Sequence, residues 1–146
     1  MSHLAIDRAA PDDGPPMLAL LAASGLPTAG LMEHLVSAYV AKRDGRIVGT
    51  AALELYEGGA LLRSVAVDEG ERGGGLGRLL TERAISEADA RALAAVYLLT
   101  TTAEGYFTRF GFAVVAREDV PDSVRASIEF QSACPATATV MRKLLR

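Results

Sequence analysis

At 146 residues, half of them hydrophobic, the chain is long enough to bury a core of its own and reads as one domain over 1–146. Its net charge of −3 and pI near 5.4 come without a basic stripe, which argues against nucleic acid as a partner. No apolar run approaches a membrane span, the N-terminus lacks the layout of a signal peptide, and the lone Cys134 suits a reducing compartment; the expectation is a cytoplasmic protein with no metal cluster.

His3-Leu4-Ala5-Ile6 alternates in polarity and predicts a short first strand. Asp13 followed by Pro15 and Pro16 predicts a helix start, with Met17, Leu18, Leu20 and Leu21 as the apolar stripe and Gly25 and Pro27 as the end. A second helix opening at Pro27 would carry Leu31, Leu35 and Val36, and His34 on it reads as an ordinary surface or packing histidine. From Tyr39 to Asp68 the chain reads as an antiparallel meander turned at Asp44-Gly45 and Gly58-Gly59. The period of two sorts Ile47, Gly49, Ala51, Leu53 and Leu55 onto one face and Val48, Thr50, Ala52, Glu54 and Tyr56 onto the other. Glu54 thereby shares a face with apolar or small residues.

The stretch from Leu61 to Ala90 carries the strongest signal. The strand Leu61-Leu62-Arg63-Ser64-Val65-Ala66-Val67 gives way to an acidic turn and then to Arg72-Gly73-Gly74-Gly75-Leu76-Gly77-Arg78. Glycine-rich backbone bends freely and turns bare N–H groups outward, and the unpaired donors of the following helix complete a socket for an anion. Arg72 and Arg78 flank it with charge suited to phosphate. The spacing is not the dinucleotide fingerprint, because the frame from Gly73 puts Arg78 where the third glycine belongs. Nor is it a triphosphate loop, which would follow Gly77 with Lys and Ser or Thr. The helix beyond shows Leu76, Leu79, Leu80, Ala84 and Ala88 along one side.

Leu93 to Thr100 reads as a strand covered on both faces. Thr101-Thr102-Ala103-Glu104 matches a capping box and predicts a helix ending before Gly111. Phe112 to Ala116 is a further strand, Val120-Pro121 opens a short helical stretch, and Ala138 to Leu145 closes the sheet.

The pattern Arg72-x-x-Gly75-x-Gly77, with Val65-Ala66-Val67-Asp68 before it and Gly111-Phe112 after the next helix and strand, resembles the signature of the GNAT superfamily of N-acetyltransferases. That resemblance implies an α+β fold: a mixed, mostly antiparallel central sheet of about six to seven strands, flanked by helices. It implies acetyl-coenzyme A as cosubstrate and no metal. The amides of Arg72, Gly73, Gly74, Gly75, Leu76, Gly77 and Arg78 would hold the pyrophosphate. The strand Leu61–Val67 would part from Leu93–Thr100 to admit the acetyl end, with main-chain donors of Val65, Ala66 and Val67 along the pantetheine arm. Many members carry Tyr four residues before the glycine of the Gly-Phe pair; here that position is Phe107. Its neighbour Tyr106 points about 100° away on a helix, so a general acid for the leaving thiolate stays open between Tyr106 and none.

Direct transfer needs a neutral amine, hence a base or a water relay. Glu54, Glu129 and Glu104 compete for that role, Glu104 with its capping role as a full structural explanation, and water alone stays open. The residues 61–64, 99–103 and 120–135 look like the arsenic-resistance-associated branch of the superfamily and, more distantly, amino-acid N-acetyltransferases, a likeness spanning nearly all of the chain after Pro27. It implies a small-molecule amine acceptor, an amino acid or an analogue with an anionic head; Arg63 and Arg125 could grip its carboxylate as planar forks, or either could be solvated or paired with Glu54, Glu57 or Glu129. Cys134 could guard the thiol end of the cofactor, meet a thiophilic arsenical, or be a small buried hydrophobe. A protein- or peptide-lysine acetyltransferase and a non-catalytic acyl-coenzyme A sensor are the rival readings, and a homodimer is left open.

Overall fold

The computed structural model describes residues 3–146. Seven strands, β1 (Leu4–Arg8), β2 (Ala38–Arg43), β3 (Arg46–Tyr56), β4 (Gly59–Val67), β5 (Ala95–Thr100), β6 (Ala113–Val114) and β7 (Thr139–Leu144), lie in one open sheet in the order β1-β2-β3-β4-β5-β7-β6. Every neighbouring pair is antiparallel except β4 and β5. With helices on both faces this is the mostly antiparallel GNAT-like α+β arrangement. Asp44 (φ 51) and Gly45 (φ 85) make the β2–β3 turn in the left-handed region that an Asp-Gly hairpin uses.

Two irregularities in β3 and β4 decide where everything else goes. Between β2 and β3 the register shifts at Ala41/Lys42, so Val48 packs with Ala51 and Leu80 while Ile47 packs on the opposite side with Val40 and Ala52. This reverses the simple alternation for Ile47 and Val48 and preserves it for Ala52 and Glu54. Between β3 and β4, Thr50 pairs with Ala66 but Ala52 with Arg63, leaving Ser64 and Val65 opposite one residue. That is a β-bulge. Ser64 sits at φ 60, and its carbonyl accepts the Thr50 hydroxyl at 2.7 Å. The bulge bends β4 away from its parallel neighbour, and the two strands pair only at Ala60↔Val96 and Leu61↔Tyr97. The expected parting of the sheet is therefore real and begins at Leu62.

Helix α1 (Gly14–Ala23) covers one face through Met17 and Leu21, and α2 (Leu76–Ala90) covers the other through Leu76, Leu80, Ala84 and Ala88. Gly49 lets α2 lie close, since a Cβ there would fall 2.8 Å from Leu80 Cδ1. Leu79 is 43% exposed, because the buried stripe runs through Leu76, Leu80, Thr81, Ala84 and Ala88 and passes it by. The predicted second helix is a 3₁₀ segment, Leu31–Ser37, broken at His34 (φ −120, ψ 18). The break leaves Leu31 buried and turns Val36 outward.

Helix α3 (Glu104–Thr108) starts later than a capping box at Thr101 requires. The Thr100 hydroxyl accepts the Ala103 N–H at 2.9 Å instead, so the preceding strand residue makes the turn. Strand β6 is two residues long rather than five, yielding to a 3₁₀ turn at Arg117–Asp119. Helix α4 (Asp122–Arg125) leads into a π-helical turn, Glu129–Ala133, that no periodicity in the sequence announces. Among the described residues no helix is long and apolar enough to cross a membrane.

Candidate active site

The glycine loop follows from where β4 ends. Gly73 (φ 87) and Gly75 (φ 81) take left-handed conformations, and Gly75 is the residue on which α2 begins. Leu79 is the first helix residue to bond back, to the Gly75 carbonyl at 3.1 Å. The N–H groups of residues 73–78 have no acceptor among the described residues, as at any helix start without a side-chain cap. All of these residues but Gly74, with the positive end of α2, line a cavity of about 450 Å³. It is lined by every residue expected at the cofactor site except Gly74, which is exposed outside it.

Side chains complete the cavity. Arg72 Nε donates to the Val67 carbonyl at 3.1 Å and ties the loop to the end of β4, while Arg78 reaches Glu82 at 3.4 Å. Glu71 also lines the cavity, but Arg43 holds it by two bonds of 2.7 and 2.9 Å, which keeps its carboxyl below the usual range and compensates its charge. Arg109 is a lining residue that the sequence reading missed. Its spacing of three from Tyr106 on a short helix was the available signal. The donor set suits a diphosphate: bare amides, a helix N-terminus and arginines around a glycine turn.

A second cavity of about 520 Å³ occupies the split between β4 and β5, and Val65 and Tyr106 line both. The two form one trench with Tyr106 at the junction. A Cβ on Gly77 would come within 2.9 Å of the Tyr106 hydroxyl oxygen, so the missing side chain is what admits the tyrosine. Tyr106 packs edge-on against Phe107 and Phe110, with centroids 5.2 and 5.3 Å apart. Phe107 turns into the core beside Phe112. The hydroxyl nearest the loop thus belongs to Tyr106.

The far wall gathers Arg63, Glu129 and Cys134 from distant parts of the chain. Glu129 is 4% exposed; burial pushes its carboxyl up to about 7, Arg63 drawing it down and Glu54 pushing it up. Burial, then the neighbouring Glu129 charge, pushes the Cys134 thiol up to about 12, so it is a neutral hydrogen-bond donor and not a nucleophile. Arg63 has a fully buried side chain with Nε 3.3 Å from Glu129 and Nη1 2.8 Å from Glu54. It is not the open fork an acceptor carboxylate would need. Arg125 lies outside the trench, paired with Asp122 on a surface depression shared with Arg117 and Phe130. Glu54 lines neither cavity, and Glu104 is exposed at the start of α3. Parity placed Glu54 on the inner face correctly but could not show that Arg63 occupies it. Among the described residues no cluster of side chains could hold a metal ion.

Comparison with known proteins places this geometry. The family described as "Acetyltransferase (GNAT) domain" matches residues 35–114. An uncharacterized N-acetyltransferase of Chlorobaculum tepidum is 33% identical over 95 residues, which are 64% of this chain and 61% of that protein. The chain thus matches less than two thirds of that curated relative. Among solved structures, N-acetylglutamate synthase from Neisseria gonorrhoeae, complexed with coenzyme A and N-acetyl-glutamate, superposes with a TM-score of 0.84 at 22% identity. That match covers 99% of this chain and 35% of the synthase. Rv2747 from Mycobacterium tuberculosis, in a complex containing CoA, gives 0.81 at 24% identity, covering 97% of this chain and 99% of that one. At these identities the structures speak for the fold, while the family match spans more than half of the sequence and covers the glycine loop, the split in the sheet and Tyr106: the chain belongs to the GNAT acetyltransferase family.

Proposed function

We propose that the chain moves an acetyl group from acetyl-coenzyme A to the amine of a small molecule, with both substrates held together in the trench. The carrying observation is that trench: a glycine-loop cavity built for a diphosphate opens, at Val65 and Tyr106, into a cavity with a buried carboxylate on its far wall. Acetyl-coenzyme A supplies an activated acyl group; the chain supplies placement and proton handling. Amides of Gly73 and of residues 75–78, with the side chains of Arg72, Arg78 and Arg109, would hold the diphosphate. The bulge leaves the outward main-chain groups of residues 62–67 without partners on β5, an edge an amide-rich arm can pair with.

Glu129, not Glu54, is the base in this reading, because it lines the cleft and its raised carboxyl is half ionised near neutral pH. It takes the proton the attacking amine loses as the N–C bond forms and the C–S bond breaks. Tyr106 is the group placed to give the departing thiolate a proton.

An amino acid or an analogue with an anionic head remains the acceptor we favour, supported by the fold shared with a synthase that was solved with N-acetyl-glutamate. Arg63, engaged by Glu54 and Glu129, would not grip that head itself. The likeness to the arsenic-resistance-associated branch enters on the same footing, and the cytoplasm is the proposed place of work. Purified protein incubated with acetyl-coenzyme A and amino acids, oxyanion-bearing analogues, simple amines or lysine peptides, with thiol release followed, tests this. Turnover confined to small amines supports the proposal; turnover on peptides alone, or cofactor binding without turnover, overturns it.

A further inference from the structure

Glu129 stands on a π-helical turn between α4 and β7, yet its carboxylate is held from the other side of the molecule. Arg63 on β4 reaches it with Nε at 3.3 Å. Arg63 is in turn fixed from several directions. Its Nη1 donates to Glu54 at 2.8 Å and to the Ala29 carbonyl at 2.7 Å, Nη2 donates to the Pro27 carbonyl at 3.2 Å, and Nε donates to Ser64 Oγ at 3.0 Å. Glu54 also accepts the Tyr56 hydroxyl and lies 3.5 Å from His34 Nε2. With side-chain exposures of 1% for Glu54 and 0% for Arg63, water screens little of this.

We propose that Glu54 is a positioning residue of the reaction: it fixes the Arg63 guanidinium, and Arg63 fixes the Glu129 carboxylate at the cleft wall. The proposal rests on Glu129 as the base. Two carboxylates share one guanidinium, so the cluster carries one surplus negative charge, and a proton relieves it. Glu129 is the carboxylate that takes the proton, since of the two it alone lines the cleft, while Glu54 keeps both Arg63 and the Tyr56 hydroxyl. The groups acting on Glu129 are Arg63 from β4, Glu54 and Tyr56 from β3, and Cys134 from its own segment; His34, on the 3₁₀ segment, touches Glu54. Removing the Glu54 charge leaves the guanidinium wholly to Glu129, which then gives up its proton at lower pH. Removing the Arg63 charge does the reverse.

The test compares Glu54→Gln, which keeps the shape, with the parent protein in two readouts. One is the pH profile of kcat/KM. The other is the titration of the Glu129 carboxyl carbon by NMR, its signal identified by loss in Glu129→Gln. The acidic limb and the Glu129 midpoint are both expected to fall by about one pH unit or more in Glu54→Gln, to return in Glu54→Asp, and to rise in Arg63→Gln. Glu54→Gln decides the matter alone should Arg63→Gln fail to fold. An unmoved Glu129 midpoint overturns the proposal, whether the enzyme keeps its rate or loses it at every pH as a missing base would dictate. A fully active Glu129→Gln overturns the reading of Glu129 as base; the titration, which needs no turnover, still shows whether the three side chains are coupled.

Discussion

The loop at residues 72–78 and the cluster around Arg63 recognise charge by opposite means. The loop offers main-chain amides from one contiguous stretch, left unpaired by the geometry of a helix start. The cluster uses side chains from β3, β4, the 3₁₀ segment and the π turn, each already engaged by another. Amides do not titrate and their directions are set by the backbone dihedrals, so the loop is less sensitive to pH than to substitution. Carboxylates sharing one guanidinium tolerate conservative changes of shape but respond to each change of charge. In the proposed reading, a binding half that carries no titrating side chain from this loop is joined to a chemical half governed by protons.

That contrast predicts the order in which substitutions hurt. Gly75→Glu should act hardest: it puts a carboxylate at a left-handed position facing the phosphate cavity, and coenzyme A binding by calorimetry should weaken by more than about 100-fold. The fold should survive, since the nearest atom to a Cβ there is Arg78 Nη2 at 3.9 Å. Normal affinity would mean that the diphosphate lies elsewhere.

Glu129→Gln should leave coenzyme A affinity intact and lower kcat by about 10². It should also change the pH dependence of stability. A carboxyl raised from 4.5 to about 7 in the folded state keeps its proton longer than in the unfolded chain. Its contribution is present below pH 4.5 and is lost as pH rises through 7, by on the order of 3 kcal/mol. Urea titrations from pH 5 to 8 should show this fall in the parent and a flatter line in Glu129→Gln; parallel lines would remove the raised carboxyl.

Gly77→Ala joins the two regions and should act least, weakening coenzyme A by roughly tenfold. The added Cβ would meet the Tyr106 hydroxyl oxygen at 2.9 Å, so Tyr106→Phe in the same chain should restore part of the affinity. Additive losses would show that the two do not touch in solution.

What was legible in the sequence follows the same division. The loop could be read because glycines at 73, 75 and 77 and the flanking arginines are neighbours in the chain, and each backbone demand falls on a nearby residue. The meander and the cover of α2 were legible from period and turn chemistry, apart from Ile47 and Val48 at the register shift and Leu79 on α2. The acceptor wall was not. That Glu54 and Glu129, 75 positions apart, share one arginine depends on the bulge at Ser64 and on a π turn, and neither leaves a periodic trace. Phe107 and Tyr106 show the same limit: both line the cavity between β4 and β5, and that Tyr106 alone of the two reaches the glycine-loop cavity follows from the short run of α3 between Thr100 and Gly111.

The parallel seam of the sheet, two residue pairs long, makes the molecule two leaves hinged on Ala60 and Leu61. Any slender, amide-bearing guest seated further along that gap would serve as a stitch, bonding to a leaf on each side. Amide hydrogens bordering the gap would then exchange more slowly in the loaded protein than in the empty one, on both leaves at once.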